Sequence, residues 1–375
     1  MEIKNIEKWF TVKKSLLLLG ILWLIVHLIL FWRSGIVTDF ESKKYIEQAD
    51  FFLINRHYAS PNFIFYSIQI LLIALSKSTH TFPVLIVIIQ LIFNATSMAL
   101  FYKLNLHFTR SHFKAFVMTA LLICMIYYEI YDLYLFTESL YFSFVIIYTF
   151  LLFSINKLSL KYICLLIFGM AILYFTRPTG LFFIPSTIAF CIFKFYRKKA
   201  LVLLSIFFAA GLLSLYYLLN FALSSGGELD YLLPYSKEMI LCGVPSLQTS
   251  NAINIPVNKS PMEGLWYIIT NHSSLFFNLA SKRLIAFWGA AREYYSPLHN
   301  IFIGIYFYTS YLFILFGLRK LVKNIVPETI YLLFNIFLIM STAMLSCDEW
   351  HNRFLLSILS FILLLVSFVL KGKPE

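Results

Sequence analysis

Through most of its length the sequence keeps returning to apolar runs such as "FLLSILSFILLLVSFVL" at 354–370. A helix needs about 20 such residues to cross a bilayer, and a soluble core has no use for many of them in series. With 60% hydrophobic residues and a mean hydropathy of +0.81, the chain reads as an all-α, polytopic membrane protein. The patterning predicts about ten spans, over 15–32, 82–102, 115–128, 137–154, 162–176, 181–195, 200–220, 299–317, 327–346 and 354–370.

Charge then assigns the sides. The segments 1–14, 103–114, 155–161, 196–199, 318–326 and 371–375 are short and carry most of the Lys and Arg, among them Lys13, Lys14, Lys114, Arg197, Lys198, Arg319 and Lys320. Short Lys/Arg-rich loops stay in the cytoplasm, so both termini are expected inside. The net charge of +12 is read as anchoring to the inner leaflet and not as a nucleic-acid signal. Residues 15–32 follow Lys13 and Lys14 without a small-residue cleavage site, and read as an uncleaved first helix.

A single integral membrane domain over 1–375 is expected, with two long segments on the opposite face. In 33–81, "NFIFYSIQILLIALSK" follows Ser60-Pro61 and reads as a helix lying at the interface. In 221–298, a flexible "SSGGELD" leads to "SLFFNLASKRLIAFWGAAREYY", a second interfacial helix carrying Lys282, Arg283 and Arg292. Cys124, Cys164 and Cys191 fall within apolar runs. Cys242 and Cys347 both fall on the outer side, which leaves a disulfide between them open, and no Cys spacing of metal type occurs. The sequons at Asn94, Asn258 and Asn271 read as chance matches.

With this topology most acidic residues share the outer side: Asp39, Glu41 and Asp50, then Glu129, Asp132 and Glu138, then the charged stretch "CDEWHNRF" with His351 and Arg353. Arg177 joins them between two apolar helices. Ionisable groups at membrane level are costly and tend to mark function. Each also has a structural reading. Asp39 suits a plain loop, Glu138 suits the first turn of a helix capped by Thr137, and Arg177 before Pro178 suits a snorkelling arginine. Arg353 opens the last helix from its N-terminal end, where the dipole favours an anion, and that points to an anionic partner. A carboxylate able to take a proton from a hydroxyl, and arginines able to neutralise a leaving phosphate, fit transfer from a lipid phosphate.

In order along the chain, "DFESKKYIEQA", "ASPNFIFYSIQILLIAL", "LYLFTESLYFSF", "YFTRPTGLFFIP" and "EWHNRFLLSIL" resemble motifs of the GT-C superfamily of membrane glycosyltransferases. The nearest branch is the bacterial one related to protein O-mannosyltransferases and the lipid A aminoarabinose transferase. The resemblance implies a polyprenyl-phosphate sugar donor and an acceptor hydroxyl on a glycan, lipid or protein. It also implies a site on the outer face of a bacterial inner membrane. By resemblance Asp39 is the catalytic base, and Arg177 and Arg353 hold the donor phosphate. Beyond the resemblance, Glu138 is read as positioning the acceptor or the base, His351 as joining the arginines at the phosphate, and Glu41 and Asp132 as substrate-binding candidates. Phe40 stands where many members have a second acidic residue, and the large soluble C-terminal domain of many members has no counterpart in the sequence. No cofactor is required, and a divalent cation is compatible with the carboxylates. The alternatives are a lipid-linked-sugar flippase, which would be expected to place its polar groups near the bilayer midplane on broken helices, and a polysaccharide polymerase, which shares the topology and the large outer loop.

Overall fold

A computed structural model describes residues 7, 9–200, 202–207, 211, 213, 216, 217, 220, 232–247 and 259–371. Among the described residues the chain is helical, and β-type pairing is confined to two isolated bridges, Val37 with Tyr134 and Leu241 with Asp348. Five helices are long and apolar enough to cross a membrane, or up to seven if each of two bent pairs counts as one span. Much of the expected span at 200–220, and the "SSGGELD" stretch after it, lie outside the described residues.

In the first part of the chain the apolar runs become α1 (Val12–Ser34), α4 (Val84–Thr109), α5 (His112–Ile123), α6 (Glu138–Ser154), α7 (Leu160–Thr176) and α8 (Phe183–Phe195). Between α1 and α4 lie α2 (Glu41–Asn55) and α3 (Ser67–Ser78). The later helices are α9 (Pro261–Asn271), α10 (Ser273–Gly289), α11 (Pro297–Phe316), α12 (Pro327–Leu345) and α13 (Leu359–Val369). The bends are 59° after α5, at the step into the short helices 126–133, and 43° before α13. Both stretches expected to lie at the interface are helical, as α3 and α10. The sequence reading missed α2, whose hidden face is Ser42, Tyr45 and Ala49 at helical spacing.

The chain divides into two compact units, residues 1–187, 310–332 and 359–375 in the first, and 188–309 and 333–358 in the second. In the first unit α4 packs against α5 and α6, and α13 lies against α4 and α5 with residues 359–368 all buried. Apolar burial of about 25 cal/mol per Å² is the main stabilising term for such packing outside lipid, and tight side-chain fit supplies it within lipid. Leu30, Tyr45, Ala49, Ile70, Ile73, Ile86 and Leu133 form one buried cluster that holds α2 and α3 onto α1 and α4.

The two ends of this unit differ in charge. At one end Lys114 Nζ donates to the Leu370 carbonyl (3.1 Å), and Lys320 Nζ donates to those of Val369 (2.8 Å) and Lys371 (2.7 Å). These ammonium groups cap the C-terminal dipole of α13. Burial and the charges of Lys371 and Lys114 push the Lys320 ammonium below its usual range. The other end collects the carboxylates.

The second unit contains α9, α10 and the segment 344–353. Ser260 and Glu263 close a capping box at the start of α9. Cys242 and Cys347 are joined by a disulfide, with 5.1 Å between their α-carbons. Beside it, Asp348 N–H donates to the Ile240 carbonyl and Cys242 N–H to the Asp348 carbonyl, both at 2.8 Å.

Candidate functional site

Backbone pairing at the acidic end of the first unit ties the segment after α1 to the one before α6. Val37 N–H donates to the Leu133 carbonyl (2.9 Å), and Leu135 N–H donates to that of Val37 (3.3 Å). Gln90 of α4 donates to the carbonyls of Tyr131 (3.3 Å) and Tyr134 (2.9 Å). Asp39 follows two residues after this anchor, just before Phe40, whose φ of 58° turns the chain into α2. Its carboxylate is exposed, and Lys43 pairs with it at 3.1 Å.

One turn further, Tyr45 donates its hydroxyl to Glu41 Oε1 (2.7 Å), and Lys44 lies 3.5 Å from the same oxygen. Burial, then the charges of Glu41, Tyr66 and Glu138, hold the Tyr45 phenol well above its usual range, so it stays a donor. Glu138 begins α6 and is fully buried. It forms an ion pair with Arg177 Nη1. Thr137 does not cap the helix; its hydroxyl lies 3.4 Å from Glu138 Oε2. Arg177 closes α7 in extended backbone, and Gly180 then folds back so tightly that a Cβ there would sit 2.3 Å from the Leu173 carbonyl. The Arg-Pro-Thr-Gly sequence is therefore a backbone device that aims Arg177 at Glu138.

Asp132 lies deeper, in a cluster the sequence reading did not assemble. His27 of α1 approaches Asp132 Oδ2 at 2.9 Å and Glu129 Oε2 at 3.5 Å. Asn94 Nδ2 donates to Glu129 Oε2 (2.9 Å), and Trp23 Nε1 donates to Asn94 Oδ1 (2.7 Å). Ser139 donates to Asp132 Oδ1. The sequence signal was slight: one His inside an apolar run, with partners more than 100 positions away.

His351 and Arg353 belong to the second unit. His351 and Asn352 both have positive φ, 55° and 57°, and this double left-handed step precedes the short helix Arg353–Ser357. The His351 ring stacks on Tyr295, with centroids 6.0 Å apart, and the backbone N–H of His351 donates to the Tyr294 hydroxyl (3.2 Å). Tyr294 packs in turn on Trp350, and both rings are partly open to the surface, at 43% and 37%. Asp348 is nearly fully buried and is the ion-pair partner of Arg292. Burial pushes its carboxyl up to about 6, against the downward pull of Arg292. Arg283 is read from sequence as a cation of an interfacial helix. It is instead fully buried, donating to the carbonyls of Met239 (2.8 Å), Pro234 (2.9 Å) and Met344 (3.2 Å).

No family model matches the chain, and no curated protein or solved structure is significantly similar to it. The site residues therefore rest on geometry and chemistry alone. The first unit brings Asp39, Glu41, Asp132, Glu138 and Arg177 to one end. His351 and Arg353 form a separate group in the second unit.

Proposed function

We propose that this chain is a membrane glycosyltransferase of the GT-C type, which moves a sugar from a polyprenyl-phosphate donor to an acceptor hydroxyl on the non-cytoplasmic face. The observation that carries this is the gathering of Asp39, Glu41 and the Glu138–Arg177 pair at one end of the first unit, away from the end where Lys114 and Lys320 cap α13. The full topology in this proposal is about ten spans, with both termini in the cytoplasm of a bacterial inner membrane. The Cys242–Cys347 disulfide supports an outward position for the 344–353 segment, because disulfides persist in oxidising compartments.

Asp39, exposed and paired only weakly at the surface, takes the proton of the acceptor hydroxyl. The hydroxyl oxygen then forms a bond to the anomeric carbon as the bond from that carbon to the phosphate oxygen breaks. Polyprenyl phosphate leaves, and the configuration inverts. Glu138 orients Arg177, which neutralises charge on the departing phosphate. Glu41 acts through Tyr45 to fix the start of α2.

The test is incubation of purified protein with labelled polyprenyl-phosphate monosaccharides and a panel of hydroxyl acceptors, scored for free polyprenyl phosphate. Release above a no-enzyme control is expected with one sugar of the panel. A lipid-linked-sugar flippase is the second reading, favoured by the break after α5 beside buried ionisable groups. It predicts movement of intact donor across vesicles with no release.

A further inference from the structure

His27, Glu129 and Asp132 offer one ligand atom each, all within 4.8 Å of one another, and all three residues are buried. The histidine tautomer is set by its surroundings. His27 Nδ1 lies 2.9 Å from the Trp23 carbonyl, which only accepts, so Nδ1 carries the hydrogen. The Nε2 lone pair of a neutral ring then faces two carboxylate oxygens, at 2.9 and 3.5 Å. Like-charged or lone-pair groups do not sit together in a dry interior unless something positive lies among them.

A single proton can fill that role only in part. A protonated His27 between two carboxylates leaves one net negative charge, and among the described residues neither carboxylate has a Lys or Arg ion-pair partner. Glu129 Oε1 is buried with no hydrogen-bond partner among the described residues. A divalent cation removes the residual charge.

The outer contacts match those of a metal ligand set. Each ligand is held by a second group: His27 by the Trp23 carbonyl, Glu129 by Asn94, and Asp132 by Ser139. Tetrahedral Zn²⁺ takes N and O ligands at about 2.0–2.2 Å, which places neighbouring ligand atoms roughly 3.3–3.5 Å apart. The His27–Glu129 separation of 3.5 Å already meets this, and the His27–Asp132 separation of 2.9 Å needs a small opening.

We propose that His27, Glu129 and Asp132 bind a divalent first-row metal cation, Zn²⁺ or Mn²⁺ by donor type. The cation fastens α1 to the turn between α5 and α6. This is independent of the transferase reading, because the readout is bound metal and not turnover.

The experiment strips the full-length protein with chelator, reloads it with Zn²⁺, Mn²⁺ or Co²⁺, removes free metal, and measures metal per chain. Wild type is expected to retain about one ion, to show a d–d absorption with Co²⁺, and to gain roughly 5 °C in melting temperature on loading. Glu129→Gln and His27→Gln are expected to lose the ion. Wild type that retains no metal after reloading would overturn the proposal and leave a shared proton at the site. Equal retention by wild type and the folded Glu129→Gln protein would also overturn it, by placing the metal elsewhere.

Discussion

The two units treat buried charge differently. Among the described residues of the second unit, the buried cations Arg283 and Arg292 are held by protein carbonyls and one carboxylate. Arg283 is spent on the carbonyls of Met239, Pro234 and Met344, and Arg292 is neutralised by Asp348 while donating to the carbonyls of Ala286 and Ala291. Among the described residues of the first unit the buried carboxylates Glu129, Asp132 and Glu138 outnumber the buried arginine, Arg177. Arg177 answers Glu138, but Glu129 and Asp132 have only His27, and Asp39 stands at the surface with Lys43. Matched charges close a fold. Excess carboxylate must be answered by a proton, a metal or a substrate. The function is therefore sought at the acidic end of the first unit, and the second-unit ion pair is assigned to stability.

The largest effect that can break this contrast is Arg292→Ala. It leaves Asp348 buried without its cation, and stability in detergent is expected to fall by roughly 3–5 kcal/mol at pH 7.5. The sign with pH follows from Asp348. Its carboxyl is already raised to about 6 in the fold, so the folded chain holds this proton more tightly than the unfolded one. Removing Arg292 raises it further. The deficit of the variant should therefore shrink as pH falls from 7.5 to 5, where Asp348 takes up its proton. A deficit constant over that range would mean that Asp348 is not the group left exposed to the loss.

Cys242→Ser is expected to cost about 2–4 kcal/mol, because the disulfide closes a long loop across the same segment. Thermal melting of wild type with and without reductant checks this without a variant. Asp39→Asn should leave melting unchanged, since an exposed pair with Lys43 contributes little, yet should lower turnover by about 10²-fold or more. The smallest effect is Lys43→Ala, expected within about 0.5 kcal/mol of wild type in stability. A large loss there would make the Asp39–Lys43 pair structural and erase the contrast.

What the sequence discloses divides along physical lines. The helices of α1, α4, α11 and α12 are legible because a long apolar run has one stable form in a bilayer. The pairing of Cys242 with Cys347, which their common side only leaves open, is found. The helix α2 is not legible, since its buried face is built from Ser42, Tyr45 and Ala49 among charged neighbours. The Glu138–Arg177 pair escapes for another reason. Each residue has a good local explanation at a helix end, and only tertiary structure joins them across 39 positions. His27 looks like any histidine in an apolar helix until Glu129 and Asp132 arrive from the far side of α4 and α5. Arg283 is the converse, a residue that reads as surface-anchored and is in fact satisfied by three distant carbonyls.

The most direct test sets Asp39→Asn beside Arg292→Ala in one experiment, with melting temperature and release of polyprenyl phosphate from a labelled polyprenyl-phosphate sugar measured on the same preparations. The account predicts that Asp39→Asn melts with wild type but has lost about 10²-fold in turnover, while Arg292→Ala melts lower and the fraction still folded turns over at close to the wild-type rate. Wild-type turnover by Asp39→Asn, or loss of turnover by fully folded Arg292→Ala, would contradict it and move the chemistry to the second unit.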